Sequence, residues 1–391
     1  MYRIGQAEAD AVKRVIEKKD FFKINKSYQE SLHAEDDLQR IFGVKNSILM
    51  TSGHAALVSA LVGMGVGPGD EVIVPGYTYI STALAVVGAG AIPVIAEVDE
   101  TLTLDVADFE KKITPRTKAV IPVHIQGFPC DMDGIMEVAK KHNVMVLEDA
   151  CQADGGSYKG TRLGSIGDAG ALSFNYYKVI TSGEGGALLT NRDDIFERAF
   201  IYHDSGAICF FGNQMDYVTI EPFCGTEYRT NDITAAIIRV QLERMDGILA
   251  DLRKNKKIMM EALSDCFKFA PSYDAEGDCG TTIALSFDTE EEARKFATHE
   301  SVADMKLMLP IDTGKHVYRN WKAIMEKRGA LHPAMDPFKM EANKLCEQDY
   351  REDMCPKTLE ILARTVYVAV KPDDTEEVLQ DKITRLRAAM N

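Results

Sequence analysis

The chain has 391 residues, of which 46% are hydrophobic and 27% are charged, and its formal net charge is -15. A chain of this length can form two or three domains around a large buried core. The negative charge disfavours non-specific binding to nucleic acid or to anionic lipid. The N-terminal segment MYRIGQAEADAVKRVIEKKD carries charges throughout, unlike a signal peptide, and no apolar window approaches the length of a membrane-spanning helix. We therefore expect a cytoplasmic protein that contacts neither nucleic acid nor a membrane.

Eight cysteines are spread along the chain, and none stands in C-x-x-C spacing. Zinc binding and dithiol chemistry therefore have little support. We expect reduced thiols and no metal site.

Short apolar runs alternate with helical patterns from about residue 47 to about residue 190. The runs SILM, EVIVPG, IPVIAEV, KAVIPVHI and VMVLEDA each indicate a buried strand, and AALVSALVGMG and DMDGIMEVAKKHN indicate helices between strands. AGALSFN and GALLTN add two strands, joined by a loop that contains Glu184. This alternation predicts an α/β fold with a mostly parallel sheet and helices on both faces.

The remainder of the chain has a different pattern. NDITAAIIRVQLERMDGILADLRKNKKIMMEALSD predicts a long helix, with a break possible along it, and TTIALSF and TVYVAV predict strands that are each followed by a charged helix. We expect a large domain over residues 1–250 and a smaller α+β domain over residues 251–391. The N-terminal helix belongs to the large domain in sequence, and its packing on the small domain is an open alternative.

Polar and aromatic side chains follow two of the predicted strands, where ligands collect in open α/β sheets. Ser52, Gly53 and His54 stand just ahead of a helix, where free N–H groups bind an anion or where a simple capping turn forms. Tyr77 and Tyr79 follow EVIVP and are suited either to core packing or to stacking on a flat ring.

Charged side chains follow two further strands. Glu148 and Asp149 end VMVL and point to opposite faces, so we expect only one of them in a site. A structural ion pair with Arg or Lys is the alternative. Lys178 follows ALSFN and precedes a glycine-rich turn. An ordinary surface lysine is one interpretation of this position; a buried lysine, whose neutral and nucleophilic form burial favours, is the other. An anion site, a stacking ring, a carboxylate and an amine in this order fit pyridoxal phosphate.

Six motifs make the chain resemble the DegT/StrS family of pyridoxal-phosphate sugar aminotransferases, which have the fold type I architecture. They are SGHAAL, GDEVIVPGYTYIST, ITPRTKAVIPVH, VLEDACQADGGSYKG, SFNYYKVITSGEGGALLTN and GTEYRTNDITAAI. The lysine motif with its GEGG and the EDACQA motif are highly specific when they occur together.

The resemblance implies a set of residues that hold the cofactor: Gly53, His54 and Ser173 at the phosphate, Tyr79 on the ring, Asp149 at the pyridine nitrogen, Gln152 near the phenolic oxygen, and Lys178 as the covalent link. The family usually has threonine where His54 stands, so a hydroxyl contact is replaced or lost here. The family also builds each site from two chains, which implies a homodimer with shared active sites.

Glu227 is the sharpest departure, because the family generally has asparagine there, reaching the phosphate from the neighbouring subunit. A carboxylate at about 4 Å from a phosphate charge would be repelled by roughly 4 kcal/mol at an effective dielectric of about 20. We therefore predict that Glu227 turns away, pairs with Arg229 or another cation, or contacts the substrate. Arg229 itself would suit the carboxylate of an amino donor, and a structural ion pair is the alternative.

The implied reaction moves an amino group from glutamate or glutamine to a keto-sugar, with Lys178 as general base and acid. Lys178 argues against the family branch that has histidine there and dehydrates deoxysugars. An octulosonic acid or a cyclitol is an alternative acceptor; a fold type I lyase and a non-catalytic cofactor-binding protein are further alternatives. His316 is a candidate for contact with the substrate, as are its neighbours Lys315, Trp321 and His332. Packing in a loop or in the small domain is the alternative for all four.

Overall fold

A seven-stranded sheet forms the centre of the protein in a computed structural model that describes residues 3–19, 21–23, 29–206 and 218–390. The strands are β1 Asn46–Met50, β2 Glu71–Pro75, β3 Ile92–Ala96, β4 Thr117–Val120, β5 Met145–Asp149, the short hairpin β6 Ser157–Tyr158 and β7 Thr161–Arg162, then β8 Ala169–Ser173 and β9 Gly186–Thr190. The sheet has the order β1-β9-β8-β5-β4-β2-β3, and only the hairpin lies outside it. β9 runs antiparallel to both of its neighbours, and the other pairs are parallel.

Helices connect the strands because parallel neighbours need a crossover. The connecting helices are α3 Gly53–Gly63, α4 Ser81–Gly88, α5 Val106–Lys111 and α6 Met132–His142, while α1 Gln6–Lys18 and α2 Glu30–Phe42 precede β1 and α7 Asp193–His203 follows β9. Side-chain caps fix several of their starts: Ser52 accepts from the N–H of Ala55 at α3, and Asp131 accepts from the N–H of Gly134 at α6. The carboxyl ends of the parallel strands therefore meet at one edge of the sheet.

The chain leaves this sheet along α8 Asp232–Leu263, a helix of 32 residues. No break interrupts α8, and the predicted domain boundary at residues 250 and 251 falls inside it, so that boundary stays a prediction. The N-terminal helix packs along α8, and Arg3 before it pairs with Asp251 and Asp373.

A second, three-stranded antiparallel sheet follows α8. The remaining elements are β10 Lys268–Phe269, β11 Thr282–Ser286, α9 Glu290–Ala297, α10 Lys322–Met325, α11 Pro356–Ala363, β12 Thr365–Ala369 and α12 Glu376–Met390. Strands and helices thus occur together here, as the apolar runs TTIALSF and TVYVAV predict.

Side chains bind backbone groups at one residue on each border strand of the large sheet. On β1, the Glu35 carboxylate accepts from the N–H of Leu49 at 2.7 Å, and the Lys23 ammonium donates to its carbonyl at 2.9 Å. On β3, the Tyr350 hydroxyl donates to the carbonyl of Pro93 at 2.6 Å. One residue on each border strand thus has its backbone groups bound by the protein's own side chains.

Two further observations concern the described part of the chain. No helix in it is long and apolar enough to cross a membrane. Its cysteines are free thiols, while Cys209 lies outside the described residues.

Candidate active site

Lys178 lies in the turn between β8 and β9, at the carboxyl edge of the sheet. Its backbone N–H donates to the carbonyl of Asn175 at 2.9 Å, and Asn175 forms a bridge with Gly183. Gly183 and Gly185 have φ angles of 88° and 155°, which disfavour side chains, so the glycines of GEGG allow this turn to close. The Lys178 side chain is half-buried, whereas the sequence analysis favours a buried amine at this position.

Asp149 ends β5 at the same edge and is almost fully buried. One carboxylate oxygen accepts from the Thr82 hydroxyl at 2.7 Å, and the other accepts from the N–H of Cys151 at 3.1 Å. The Thr82 hydroxyl also lies 2.8 Å from that of Thr78. These contacts hold the carboxylate in one orientation, and Thr82 is a contributor that the sequence reasoning did not single out.

Glu148 points to the opposite face of β5 and has a structural role. Its carboxylate accepts from the N–H groups of Gly164, Ile166 and Gly167 at 2.8, 2.6 and 2.7 Å. His124 accepts from the N–H of Cys130 through Nδ1, so its Nε2 donates to Glu148 at 3.1 Å. The two carboxylates thus point to opposite faces of β5, as their positions along the strand predict, and the place of Asp149 in the site remains a prediction.

The start of α3 packs closely against the end of β8. A Cβ at Gly53 would lie 2.7 Å from the Cys151 sulfur and 2.9 Å from the Ser173 Cβ, so glycine alone fits without a shift. The N–H groups of Gly53 and His54 belong to the first turn of the helix and have no partner within it. Together with the neighbouring Ser173 hydroxyl, they form a cradle suited to an anion.

His54 stands where a threonine is usual, and its ring is half-buried. Burial lowers its pKa, which favours the neutral imidazole. Nδ1 is buried and has no hydrogen-bond partner among the described residues. The ring therefore offers a polar atom in place of the missing hydroxyl.

Tyr79 and His316 lie together at the mouth of the site. Their ring centroids are 5.5 Å apart, and the planes are tilted by 58°. Tyr79 is 40% exposed, whereas Tyr77 is buried, so only Tyr79 presents an open ring face. Burial, together with the charges of Lys178 and Lys315, lowers the pKa of His316 to about 4.

The segment around His316 is aligned with the end of β2 by backbone hydrogen bonds. The N–H of Thr78 donates to the His316 carbonyl, and the N–H of Ile80 donates to the Lys315 carbonyl, both at 2.9 Å. Trp321 is buried in the core, and its indole donates to the Lys315 carbonyl. His332 is exposed and accepts from a backbone N–H of its own turn. Of the two histidines considered, the structure brings His316 to the site.

Gln152 is held through its amide oxygen. This oxygen accepts from the N–H of Gln126 at 3.1 Å, in a turn where Gln126 adopts a φ of 53°. The Thr281 hydroxyl fixes the same turn through the Gln126 carbonyl at 2.7 Å. The amide nitrogen of Gln152 is consequently the end left to meet a ligand oxygen.

Glu227 pairs with Arg229 at 2.7 Å, so the predicted pairing is confirmed. Arg229 also pairs with Asp204, whose side chain is only 2% exposed. A backbone bridge joins Arg229 to Met50 at the end of β1, next to the start of α3. The guanidinium is therefore engaged in ion pairs within the chain, and its contact with an amino donor remains a prediction.

Asp154 is a buried carboxyl group that the sequence reasoning did not single out, although it stands in the same EDACQAD motif. It is fully buried, and neither oxygen has a hydrogen-bond partner among the described residues. Burial raises its pKa well above the ordinary value, and the charge of Lys178 offsets part of this rise.

Known proteins are similar to this chain in sequence and in fold. The chain is 47% identical over 209 residues to the GDP-perosamine synthase of Caulobacter vibrioides, a match over 53% of this chain and 55% of that protein. It is 35% identical over 266 residues to the L-glutamine:2-deoxy-scyllo-inosose aminotransferase of Streptoalloteichus tenebrarius, over 66% of this chain and 62% of the relative. These matches span little more than half of the relatives' lengths.

A solved structure, DesV of S. venezuelae in complex with a ketimine intermediate, superposes with a TM-score of 0.80 at 25% identity, over 98% of this chain and 94% of DesV. The sequence model of the DegT/DnrJ/EryC1/StrS aminotransferase family matches residues 3–328. The family resemblance and the fold type expected from the six motifs are thus confirmed. This chain belongs to the DegT/DnrJ/EryC1/StrS aminotransferase family.

Proposed function

We propose that the protein is a pyridoxal-phosphate-dependent aminotransferase that moves an amino group from glutamate or glutamine to a keto-sugar. The observation that supports this proposal is that Asp149 ends β5, that Lys178 follows the parallel neighbour β8, and that Gly53 packs against Ser173 at the same edge of the sheet. The names of the two curated relatives favour a GDP-linked sugar as acceptor and an inosose as the alternative.

The residues present fit this cofactor. The position of Gly53 is too tight for a side chain, the Ser173 hydroxyl lies beside it, and the first N–H groups of α3 would donate to the phosphate. Asp149, which accepts from the Thr82 hydroxyl, would accept a hydrogen bond from a protonated ring nitrogen. Gln152 would donate its amide N–H to the phenolic oxygen. When bound, the cofactor supplies an electron sink for the carbon that loses its proton.

The protein's own groups would then bind, orient and move protons. The Lys178 Nζ would hold the cofactor covalently and, once released, would take a proton from the substrate carbon that bears the nitrogen and deliver one on the other side of that nitrogen. Tyr79 would cover one face of the ring. His316 beside it, neutral at neutral pH, would offer a hydrogen-bonding nitrogen to the sugar.

A second copy of the chain would complete the site. Tyr176 and Tyr177, directly before Lys178, are 47% and 81% exposed, and large aromatic side chains seldom remain open beside a catalytic group. The half-exposed Glu227 would face the partner's cofactor region. Sedimentation at low micromolar concentration should therefore give a dimer, and a monomer that retains full activity would contradict the shared site.

Borohydride reduction followed by peptide mapping tests the covalent link. We expect the label on Lys178 and on no other lysine, with Lys178→Ala as the unlabelled control. Glutamate and glutamine should each be assayed as donors with a GDP-linked keto-sugar, an inosose and a keto-octulosonic acid. Labelling of a different lysine refutes the assigned site. Release of ammonia or sulfide without amination of any acceptor would favour a lyase.

A further inference from the structure

A cavity of about 390 Å³ lies between α8 and the second, three-stranded sheet. Phe128, Asp278, Gly280 and Ala284 line its buried inner end, and exposed residues of α8 and of the segment 271–276 line its mouth. Small-molecule sites in proteins are mostly concave, largely apolar spaces of about 300–1,000 Å³. None of the residues described at the candidate active site lines this cavity, so it is a separate space.

The wall between α8 and the loop before β11 is fixed by its own polar contacts. The Arg253 Nε donates to the carbonyl of Asp278 at 2.6 Å, and the Lys256 ammonium pairs with the Asp278 carboxylate at 2.7 Å. The N–H of Gly280 donates to the same carboxylate at 2.6 Å. The buried acid is therefore already paired, and the inner end of the cavity carries no unpaired charge from it.

The apolar groups at the inner end suit a flat ring. The side chains of Phe128, Phe269 and Ala284 border the cavity there. The Phe128 ring meets that of Tyr367 edge to face, with centroids 6.3 Å apart, and the Lys256 ammonium lies 5.0 Å from the Phe128 centroid. A flat apolar group placed against these held rings would lose its contact with water and gain aromatic packing.

The mouth of the cavity has more loosely held positive charge than negative charge. Lys254 is exposed and makes no ion pair in the part of the chain that the structure describes. Lys257 reaches Glu261 only at 4.0 Å, with side chains 75% and 67% exposed, so this pair is weak. Glu276 is the one carboxylate of the lining without an ion pair among the described residues. In a chain of net charge -15, this local excess of ammonium groups favours an anionic ligand.

We propose that this cavity binds a small organic anion with a flat apolar body. The body would lie against Phe128 and Phe269 at the inner end, and the anionic group would reach Lys254 and Lys257 at the mouth. A carboxylate, a phosphate or a sulfonate would each accept hydrogen bonds from these ammonium groups. The inference is independent of the proposed function, because neither Lys178 nor the cofactor takes part in it.

The test uses two probes that share one body, added to the full-length protein as purified. Anilinonaphthalene sulfonate is a flat apolar anion, and phenylnaphthylamine has the same rings without the sulfonate. Equilibrium dialysis measures the affinity of each probe and the number bound per chain. We expect one tight site per chain for the sulfonate, with an affinity about tenfold above that of the neutral probe and lower at high salt.

Two variants at the mouth locate the binding. Lys254→Glu should weaken binding of the sulfonate about tenfold and leave the neutral probe unchanged, whereas Lys140→Glu, at an exposed lysine of α6, should change neither. Ala275→Trp adds a large side chain at the mouth and should weaken binding of both probes. Ala334→Trp, in an exposed turn that does not line the cavity, is its matched control. Lys254 and Ala275 are exposed, so neither variant requires the core to repack.

Equal affinities for the two probes, or equal effects of Lys254→Glu and Lys140→Glu, would overturn the inference, because the cavity would then not select an anion. An unchanged affinity for the sulfonate in Ala275→Trp would also overturn it, because the probe would then bind elsewhere. Borohydride trapping on Lys178 is a separate measurement. Failure of the probe experiments therefore leaves the proposed function standing, and failed trapping leaves the cavity site standing.

Discussion

Replacing Arg229 by methionine removes the cation that Asp204 and Glu227 share. Methionine keeps much of the apolar stem next to Phe22, over whose ring the guanidinium lies at 5.3 Å. The loss falls mainly on Asp204, because its side chain is 2% exposed and that of Glu227 is 49% exposed. Breaking a buried pair costs about 3–5 kcal/mol, whereas an exposed pair contributes about 0–1 kcal/mol. We expect Arg229→Met to lower the free energy of unfolding by about 3–5 kcal/mol.

Urea unfolding followed by circular dichroism measures this loss. Arg192→Met is the matched control, because Arg192 pairs with Asp168 and Asp194, whose side chains are 25% and 53% exposed. It should cost no more than about 1 kcal/mol. Adding Asp204→Asn to Arg229→Met should restore most of the stability, since no unpaired charge then remains buried.

Two results would refute this reasoning: an equal loss in the Arg192 control, or no recovery when Asp204→Asn is added. The same variants address the substrate role of Arg229. If the double variant is stable but its KM for glutamate rises strongly while kcat holds, the guanidinium also binds the donor. An unchanged KM would leave the ion pair as its role.

Three further predictions concern residues of the candidate site and the buried carboxylate behind it. Gly53→Ala should cost about 1–3 kcal/mol in thermal unfolding and weaken cofactor binding, and Cys151→Ala should relieve part of the loss because it removes the 2.7 Å contact; a fully stable Gly53→Ala would contradict the close packing. The folded-state pKa of His316 is depressed to about 4, so its unfolded form takes up a proton first as pH falls. Stability should decline by up to about 3 kcal/mol between pH 7 and 4, less so in His316→Gln, and equal declines would contradict this assignment. Glu148→Gln should cost at least about 2 kcal/mol in urea, because its amide nitrogen cannot accept the buried N–H groups, whereas Glu110→Gln at the surface should be near neutral.

The sequence predicts the large sheet well because its strands are short, continuous apolar runs between helical patterns. It also places Lys178 and Asp149 correctly at strand ends, since chain order alone puts such residues at one edge of a parallel sheet. The long helix α8 was expected with a possible break, and the structure shows none. Its apolar residues pack along its whole length, which periodicity in one segment does not reveal.

Contacts between distant segments account for what the sequence could not predict. Thr82 reaches Asp149 from the first turn of α4, 67 residues away in the chain. Asp154 reads as an ordinary polar residue in its motif until the fold shows that it is enclosed. Arg229 presented two equal alternatives because its partner Asp204 precedes it by 25 residues and carries no motif of its own.

The bound backbone groups on the border strands of the large sheet have a consequence for how copies of this protein can associate. An open strand invites a strand of another molecule to extend the sheet, which leads to fibres or aggregates. Here the N–H of Leu49 donates to Glu35, its carbonyl accepts from Lys23, and the carbonyl of Pro93 accepts from Tyr350. Pairing of a strand from a second copy is therefore opposed at these two positions, because the backbone groups that it would need are already bound.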